Sequence, residues 1–400
     1  MLYYLPLEQY KERYEAWSRP ITGWLERVWI EAGIKYKRIN GNLELQKDRP
    51  IKLGVAVDSF RRCRYCFSQL DELIQLIEKG EITETDVIYF DDFWHPGIEA
   101  LPYIFCQLKF QPKVFCFCHA QSVDQYDFTY SMKNWIRHYE KGLASWVTGI
   151  FVNCSTLKNL LIDNEVGNDS NIHVIGHVFN SNEVMERMPE HYQKTINEKW
   201  SSVPRKNQVV FSSRWDKEKN PLFYLSVGRE VIKQIPNTKF VVCTGSPQLR
   251  SNDYRLLDEL KAHIQTFPNN FELKEGLTKE EYYEELVNSK IQFSCSDQDF
   301  VSFVLLEGVV AGCYPVYPRF RSFPEVFSYN NDFMYERLQI ESAVDKIIKI
   351  LQGRYIWSRK DIESRSWIYK RHDYSSLRML NRMGLVKIAG DNPYVYSKDG

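Results

Sequence analysis

The chain is poor in the features that would carry it into a membrane, out of a cell or onto a polyanion. Its 52 basic and 52 acidic side chains cancel to a formal charge of zero, so no global field attracts nucleic acid and only local patches can. Charge or glycine breaks every apolar run before the roughly 18 residues that a bilayer-spanning helix needs. The opening Met1-Leu2-Tyr3-Tyr4-Leu5-Pro6 lacks the basic start and cleavage site of a signal peptide. Cysteines number nine, and an odd count spread through expected strands fits reduced thiols in a cytoplasm, not a disulfide framework. Cys63 and Cys66 have a spacing that can supply two zinc ligands, but no second pair follows, and no metal site is assigned. There is no internal repeat, and only the tail after Ala389 has a composition that resists ordering. What is abundant is core material: 44% hydrophobic and 14% aromatic residues over 400 positions, enough for two domains.

The first half alternates between strand and helix signals. Residues 2–5, 34–39, 51–57, 86–90, 113–118, 146–153 and 172–175 read as strands. Thr22 reads as the cap and Gly33 as the stop of a helix over 22–33, and a second helix is expected over 69–79. Strand, helix, strand predicts parallel pairing, and ligands in such sheets bind beyond the carboxyl ends of the strands. Asp58, Asp92 and His119 each follow a strand and are therefore candidates. His119 is either an orienting group or a structural histidine bonded to backbone. Between the third strand and its helix stand Arg61, Arg62 and Arg64, interleaved with Tyr65 and Phe67 in what reads as a loop. That loop can bind phosphates and stack a base, or it can simply be solvated.

The second half repeats the alternation after a polar stretch at 181–206. A strand at 208–213 leads to Arg214 and Lys219, five apart in a loop before a helix over 222–235, where helix amides and cations together suit a pyrophosphate. A strand at 239–243 runs into Thr244-Gly245-Ser246-Pro247, and further strands are expected at 273–277 and 291–296. Beyond the last of these stands Asp299, and eight positions on, in a helix apolar on nearly every face, stands Glu307. A carboxylate there needs a partner, either a core Arg or Lys or a ligand. Gly312 stops the helix before a strand at 314–318.

Arg214-x4-Lys219, the glycine turn, Asp299-x7-Glu307 and Gly312-Cys313-Tyr314-Pro315-Val316, in that order, resemble the C-terminal signature of retaining GT-B glycosyltransferases of the family 4-like group. Asp299 stands where that family usually has Glu, and Val301-Ser302 replaces a common Phe-Gly. The resemblance implies an α/β fold of two Rossmann-like domains facing each other across a cleft. It divides the chain into an acceptor domain at 1–184, a connection at 185–206, a donor domain at 207–355, and C-terminal helices at 356–400 that cross back. It implies that Arg214 and Lys219 hold the diphosphate of a nucleotide sugar, a UDP-sugar by family habit. Gly245, Ser246, Asp299, Val301 and Ser302 would line that site and Glu307 would take the ribose. No metal and no prosthetic group are implied.

His119, in a turn that runs into Ser122-Val123, is locally similar to phage DNA α-glucosyltransferases. The acceptor expected is then 5-hydroxymethylcytosine in phage DNA, with His119, Asp58 and Asp92 as catalytic candidates and Arg61, Arg62 and Arg64 on the nucleic acid. A transferase for a glycan or lipid-linked acceptor and an inactive sugar-nucleotide-binding module are the alternatives.

Overall fold

A computed structural model describes residues 1–8, 13–42, 59–119, 121–193, 204–251, 253–327, 330–354 and 368–388. The chain forms two compact units, Met1–Phe179 with His372–Gly400, and Asn180–Arg371.

The first unit is built on a parallel sheet in the order β2-β1-β3-β4-β5-β6. Its strands are β1 (Leu2–Leu5), β2 (Tyr36–Arg38), β3 (Val87–Phe90), β4 (Lys113–Phe117), β5 (Gly149–Val152) and β6 (Ile172–Val174). Every residue of β1, β3 and β5 is buried, as expected where helices cover both faces of a sheet. Those helices are α1 (Arg13–Glu31), α2 (Ser59–Glu78), α3 (Ala100–Leu108), α4 (Lys133–Trp146) and α5 (Ser155–Asp163). The core is aromatic: Tyr4 stacks on Tyr89 at 5.6 Å and meets the edge of Trp29 at 4.8 Å. Gly149 is needed where it stands, because a Cβ there would fall 2.7 Å from the Phe115 ring, which stacks on Phe151. A C-terminal helix, α13 (Ser375–Met383), belongs to this unit and packs on α1. Arg378 donates to the Ile175 carbonyl at 2.7 Å and Ser375 to that of His177 at 2.8 Å.

Two helices begin earlier than the sequence suggests. In α1, Thr22 is an interior residue that accepts from the Tyr4 hydroxyl at 3.4 Å; it caps nothing. The start of α2 at Ser59 corrects the loop expected around the three arginines. Arg61, Tyr65, Gln69, Leu73 and Leu76 form one buried stripe at helical spacing, and a guanidinium at its head disguised it. The strand expected at 51–57 and Asp58 lie outside the described residues.

In the second unit another parallel sheet has the order β12-β11-β10-β7-β8-β9. Its strands are β7 (Lys206–Phe211), β8 (Lys239–Cys243), β9 (Phe271–Lys274), β10 (Ser289–Phe293), β11 (Tyr314–Pro318) and β12 (Met334–Tyr335). The helices are α6 (Ser181–Glu186), α7 (Pro221–Gln234), α8 (Tyr254–Thr266), α9 (Lys279–Asn288), α10 (Phe303–Ala311), α11 (Phe323–Val326) and α12 (Ile340–Leu351). Gly308 lets α10 lie against β10, since a Cβ there would sit 2.7 Å from Gln292. Among the described strands the winding reverses between β1 and β3 in one unit and between β7 and β10 in the other. Crevices beyond the carboxyl ends of strands at such reversals are where α/β sheets take ligands.

Candidate active site

Two loops close on each other over the β7/β10 reversal. After β7 the chain makes a short turn at Lys217–Lys219 and enters α7 through Asn220, whose φ of 49° lies in the left-handed region that Asn tolerates. Trp215, fully buried, anchors this loop by donating to the Leu256 carbonyl at 2.7 Å. The loop after β10 is tied to it: the Asp297 amide donates to the Glu218 carbonyl at 2.9 Å and the Asn220 side chain to that of Cys295 at 2.8 Å. Lys219, 80 positions before Asp299, is thereby brought 2.5 Å from its Oδ1 and 3.2 Å from Ser296 Oγ. Arg214 is shared by Asp216 at 3.1 Å, Glu218 at 2.7 Å and the Gln298 amide oxygen at 2.9 Å.

Sequence reading did not find two further cations here. Arg337 grips Asp297 with two bonds of 2.6 and 2.8 Å, and Arg321 donates to the Asp297 and Gln298 carbonyls while lying 4.0 Å over Phe300. Both follow β11, far from the motif in sequence and without a spacing that marks them. Asp297-Gln298-Asp299 has the form of a metal-binding triplet, yet each carboxylate faces a cation. Among the described residues no group of three or more His, Cys, Asp or Glu is placed to hold a metal.

Ser302 caps α10 by position but not by bond: its hydroxyl is buried and has no partner among the described residues. Val301 beside it is 9% exposed. The site thus holds an unpaired hydroxyl at a helix N-terminus, where free amides favour an anion. One turn into α10, Glu307 is 8% exposed and accepts from Lys279 at 2.7 Å and Tyr283 at 3.0 Å. Both donors lie on one face of α9, four residues apart, and both use Oε1; Oε2 accepts nothing from the described residues. Gly245 and Ser246 turn after β8 against the loop that opens α9. A Cβ on Gly245 would meet the Leu277 carbonyl at 3.2 Å, and Ser246 accepts from the Gly276 amide at 2.8 Å.

In the first unit the other reversal gathers a charged network. Arg62 reaches inward from α2 to both oxygens of Glu8, at 2.8 and 3.0 Å, and pairs with Asp92. Asp92 also accepts from the Trp94 amide at 3.0 Å, and burial raises its pKa against the pull of Arg62. Next to it Asp91, which the sequence did not single out, accepts from Tyr89 at 2.9 Å and Tyr4 at 3.2 Å, and burial pushes its pKa up to about 7. His119 is stacked on Phe117 at 4.5 Å with Nε2 2.8 Å from the Asp91 carbonyl. A carbonyl only accepts, so Nε2 carries the proton, and desolvation lowers the ring's pKa to about 3. The ring is therefore neutral at ordinary pH and can orient a group but not supply a positive charge. The loop behind it is fixed by Glu140, fully buried, which accepts from the Ser122 amide at 2.7 Å, the Ser122 hydroxyl at 2.6 Å and the Trp94 indole at 2.9 Å.

The three arginines expected on one loop are separated by the helix: Arg61 is buried, Arg62 is committed to its carboxylates, and Arg64 alone is exposed. Their placement is corrected for that reason. At about 100° per residue Arg62 points away from Arg61, and Arg64, three positions on from Arg61, lies about 60° round toward solvent.

Residues 193–368 match the profile of the family described as glycosyl transferases group 1. This segment is a group 1 glycosyltransferase domain. Solved structures align with nearly the whole chain. Sucrose-phosphate synthase from Thermosynechococcus elongatus is 13% identical over 95% of this chain and 97% of its own, with a TM-score of 0.64. The HepE protein of Anabaena, solved with UDP, is 10% identical over 96% and 100%, with a TM-score of 0.60. At these identities the likeness is one of fold, and the fold is GT-B. Among curated proteins, the tRNA-queuosine alpha-mannosyltransferase of Drosophila melanogaster is 27% identical over 124 residues. That match spans 31% of this chain and 31% of the relative. No described helix of this glycosyltransferase-like chain is long and apolar enough to cross a membrane.

Proposed function

We propose that this protein is a retaining glycosyltransferase that moves a sugar from a nucleotide sugar, most simply a UDP-sugar, to a hydroxyl on a modified base in nucleic acid. The observation that carries the reading is the meeting of Lys219 with Asp299 and the unpaired Ser302 hydroxyl at the β7/β10 reversal, inside the matched domain. An arriving diphosphate would draw Lys219 and Arg214 from their carboxylates and accept from Ser302 and the first amides of α10. Oε2 of Glu307 would accept from the ribose hydroxyls. As the sugar leaves, negative charge grows on the diphosphate, and fixed cations in a partly buried site lower the cost of that step. The acceptor's proton would pass to the departing phosphate, with attack on the face the leaving group vacates, so the anomeric configuration is kept. His119, neutral, would orient the sugar as a hydrogen-bonding group. Asp92 and Asp58 belong to the acceptor side in this proposal.

The acceptor we favour is 5-hydroxymethylcytosine in DNA. Two observations support a nucleic-acid acceptor. The relative from Drosophila carries in its name a modified tRNA nucleoside, and on α2 Arg64 is exposed beside Phe67, a ring that is 53% exposed and open to stacking. The first of these also favours a second reading, a modified nucleoside of tRNA. The test is mass spectrometry of nucleosides after incubating the purified protein and a panel of UDP-sugars with DNA containing 5-hydroxymethylcytosine or with bulk tRNA. A hexose or pentose increment on a DNA nucleoside fixes donor and acceptor; one on a tRNA nucleoside selects the second reading. Free UDP with both polymers unchanged points to a glycan or lipid-linked acceptor, and neither UDP nor product leaves a binding module.

A further inference from the structure

Buried polar atoms without a hydrogen-bond partner are few in a folded protein, and each needs a reason. In the first unit three side chains that carry such atoms lie on the loops after β4 and β5 or on the helix between those strands. Gln121, fully buried on the loop after β4, has neither its amide nitrogen nor its oxygen paired with any described residue. Asn153, one residue past β5 and 8% exposed, has Oδ1 unpaired, and Arg137 on α4, the helix that follows the Gln121 loop, has Nε unpaired. Strands β4 and β5 are neighbours, and the bond from the Cys118 amide to the Phe151 carbonyl carries their pairing to the foot of both loops. The loop around Gln121 is not slack: His119 is bonded to Asp91 on one side and Ser122 is held twice by Glu140 on the other. A clamped loop that holds a buried amide without a protein partner holds it at a cost, and a ligand that pairs with the amide relieves that cost.

We propose that Gln121, with Asn153 at the foot of the loop after the neighbouring strand, is a specificity-determining residue that reads hydroxyl groups of the substrate. A carboxamide presents a donor and an acceptor side by side, which matches a hydroxyl that both gives and takes a hydrogen bond, and it has no charge to hold a phosphate. Two sources carry such hydroxyls, the sugar of the donor and the hydroxylated acceptor. The inference rests on the glycosyltransferase reading above.

The experiment uses the full chain as wild type, Gln121→Leu and Gln121→Glu. Each is melted, then titrated with UDP against UDP-glucose, and with duplex DNA containing 5-hydroxymethylcytosine against the same duplex with cytosine. Gln121→Leu removes the unpaired atoms, so its Tm should rise by about 2–4 °C. It should also lose about tenfold of the wild-type preference in one of the two pairs, the UDP-glucose pair if the donor sugar is read and the DNA pair if the acceptor is. Gln121→Glu keeps the shape but exchanges the amide's donors for a second acceptor, and should lose the same preference even if the leucine variant folds poorly. Three results overturn the proposal: a lower Tm in the folded leucine variant, which means the amide has an internal partner such as a trapped water; preferences in both variants within twofold of wild type; or no preference by the wild type for either probe. UDP binding in the same titration judges the glycosyltransferase reading separately. If UDP binds and Gln121 has no effect, only the present inference falls.

Discussion

Replacing Glu307 with Gln separates what that carboxylate does for the fold from what it does for a ligand. The Glu307 side chain is 10% exposed and that of its partner Lys279 46%, so solvent screens the pair and its loss should cost under about 1 kcal/mol. The bond from Tyr283 survives, because an amide oxygen still accepts. For a unit of this size the melting temperature should fall by no more than about 2–4 °C. Donor binding should change more. If Oε2 accepts from ribose hydroxyls, the variant trades charge-assisted bonds for neutral ones and loses about 1.5–3 kcal/mol, or roughly 10- to 150-fold in the Kd of UDP. Calorimetric titration of UDP beside a thermal melt measures both quantities. Lys279→Met is the control: it removes the same ion pair from the protein side and should lower Tm similarly while weakening UDP by less than about fivefold. A folded Glu307→Gln protein that binds UDP within twofold of wild type would make Glu307 a core carboxylate paired with a lysine, and the ribose assignment would be refuted.

Three further outcomes follow from the same geometry. Lys219→Met should reduce turnover by about 10²–10³, as loss of one preorganised donor to a developing anion does, and equal turnover in a steady-state assay would remove Lys219 from the reaction. Arg62→Ala leaves Glu8 and Asp92 buried without their cation and should cost about 3–5 kcal/mol in denaturant melts; Arg64→Ala should stay within about 0.5 kcal/mol and instead lower the salt dependence of DNA binding by about one unit of slope. Asp91, pushed up to about 7 from 3.8, stays protonated in the folded chain where the unfolded chain has ionised, so it subtracts stability progressively as pH rises from about 4 to 7. Asp91→Asn should flatten that slope and gain up to about 4 kcal/mol at pH 8; an unchanged slope of stability against pH would mean Asp91 is ionised in the folded protein.

Much of the second unit was legible because its signals are local. A strand, a loop with two cations, a helix and a glycine stop are each written within ten or so residues, and their order gave both the parallel sheets and the positions of Arg214, Lys219, Gly245, Asp299 and Glu307. The partners were not legible. Nothing near Glu307 in sequence names Lys279 or Tyr283, and nothing near Asp297 names Arg337, 40 positions on. Helix α2 misled for a related reason: an arginine on a buried face looks like an exposed one until its carboxylates, Glu8 and Asp92, are seen on two other strand ends. Gln121 carried no signal at all, since an unpaired amide is a property of its surroundings.

The sequence by itself determined the alternation of strand and helix and the parallel pairing that follows from it, because hydrophobic periodicity and turn chemistry act over a few residues. Only the tertiary structure decided the strand order and which charges are spent on one another, because many of those pairings join side chains far apart in sequence, 30 positions for Arg62 with Asp92 and 84 for Arg214 with Gln298. Separation along the chain gives no measure of such contacts; the crossing of two loops over a sheet edge does.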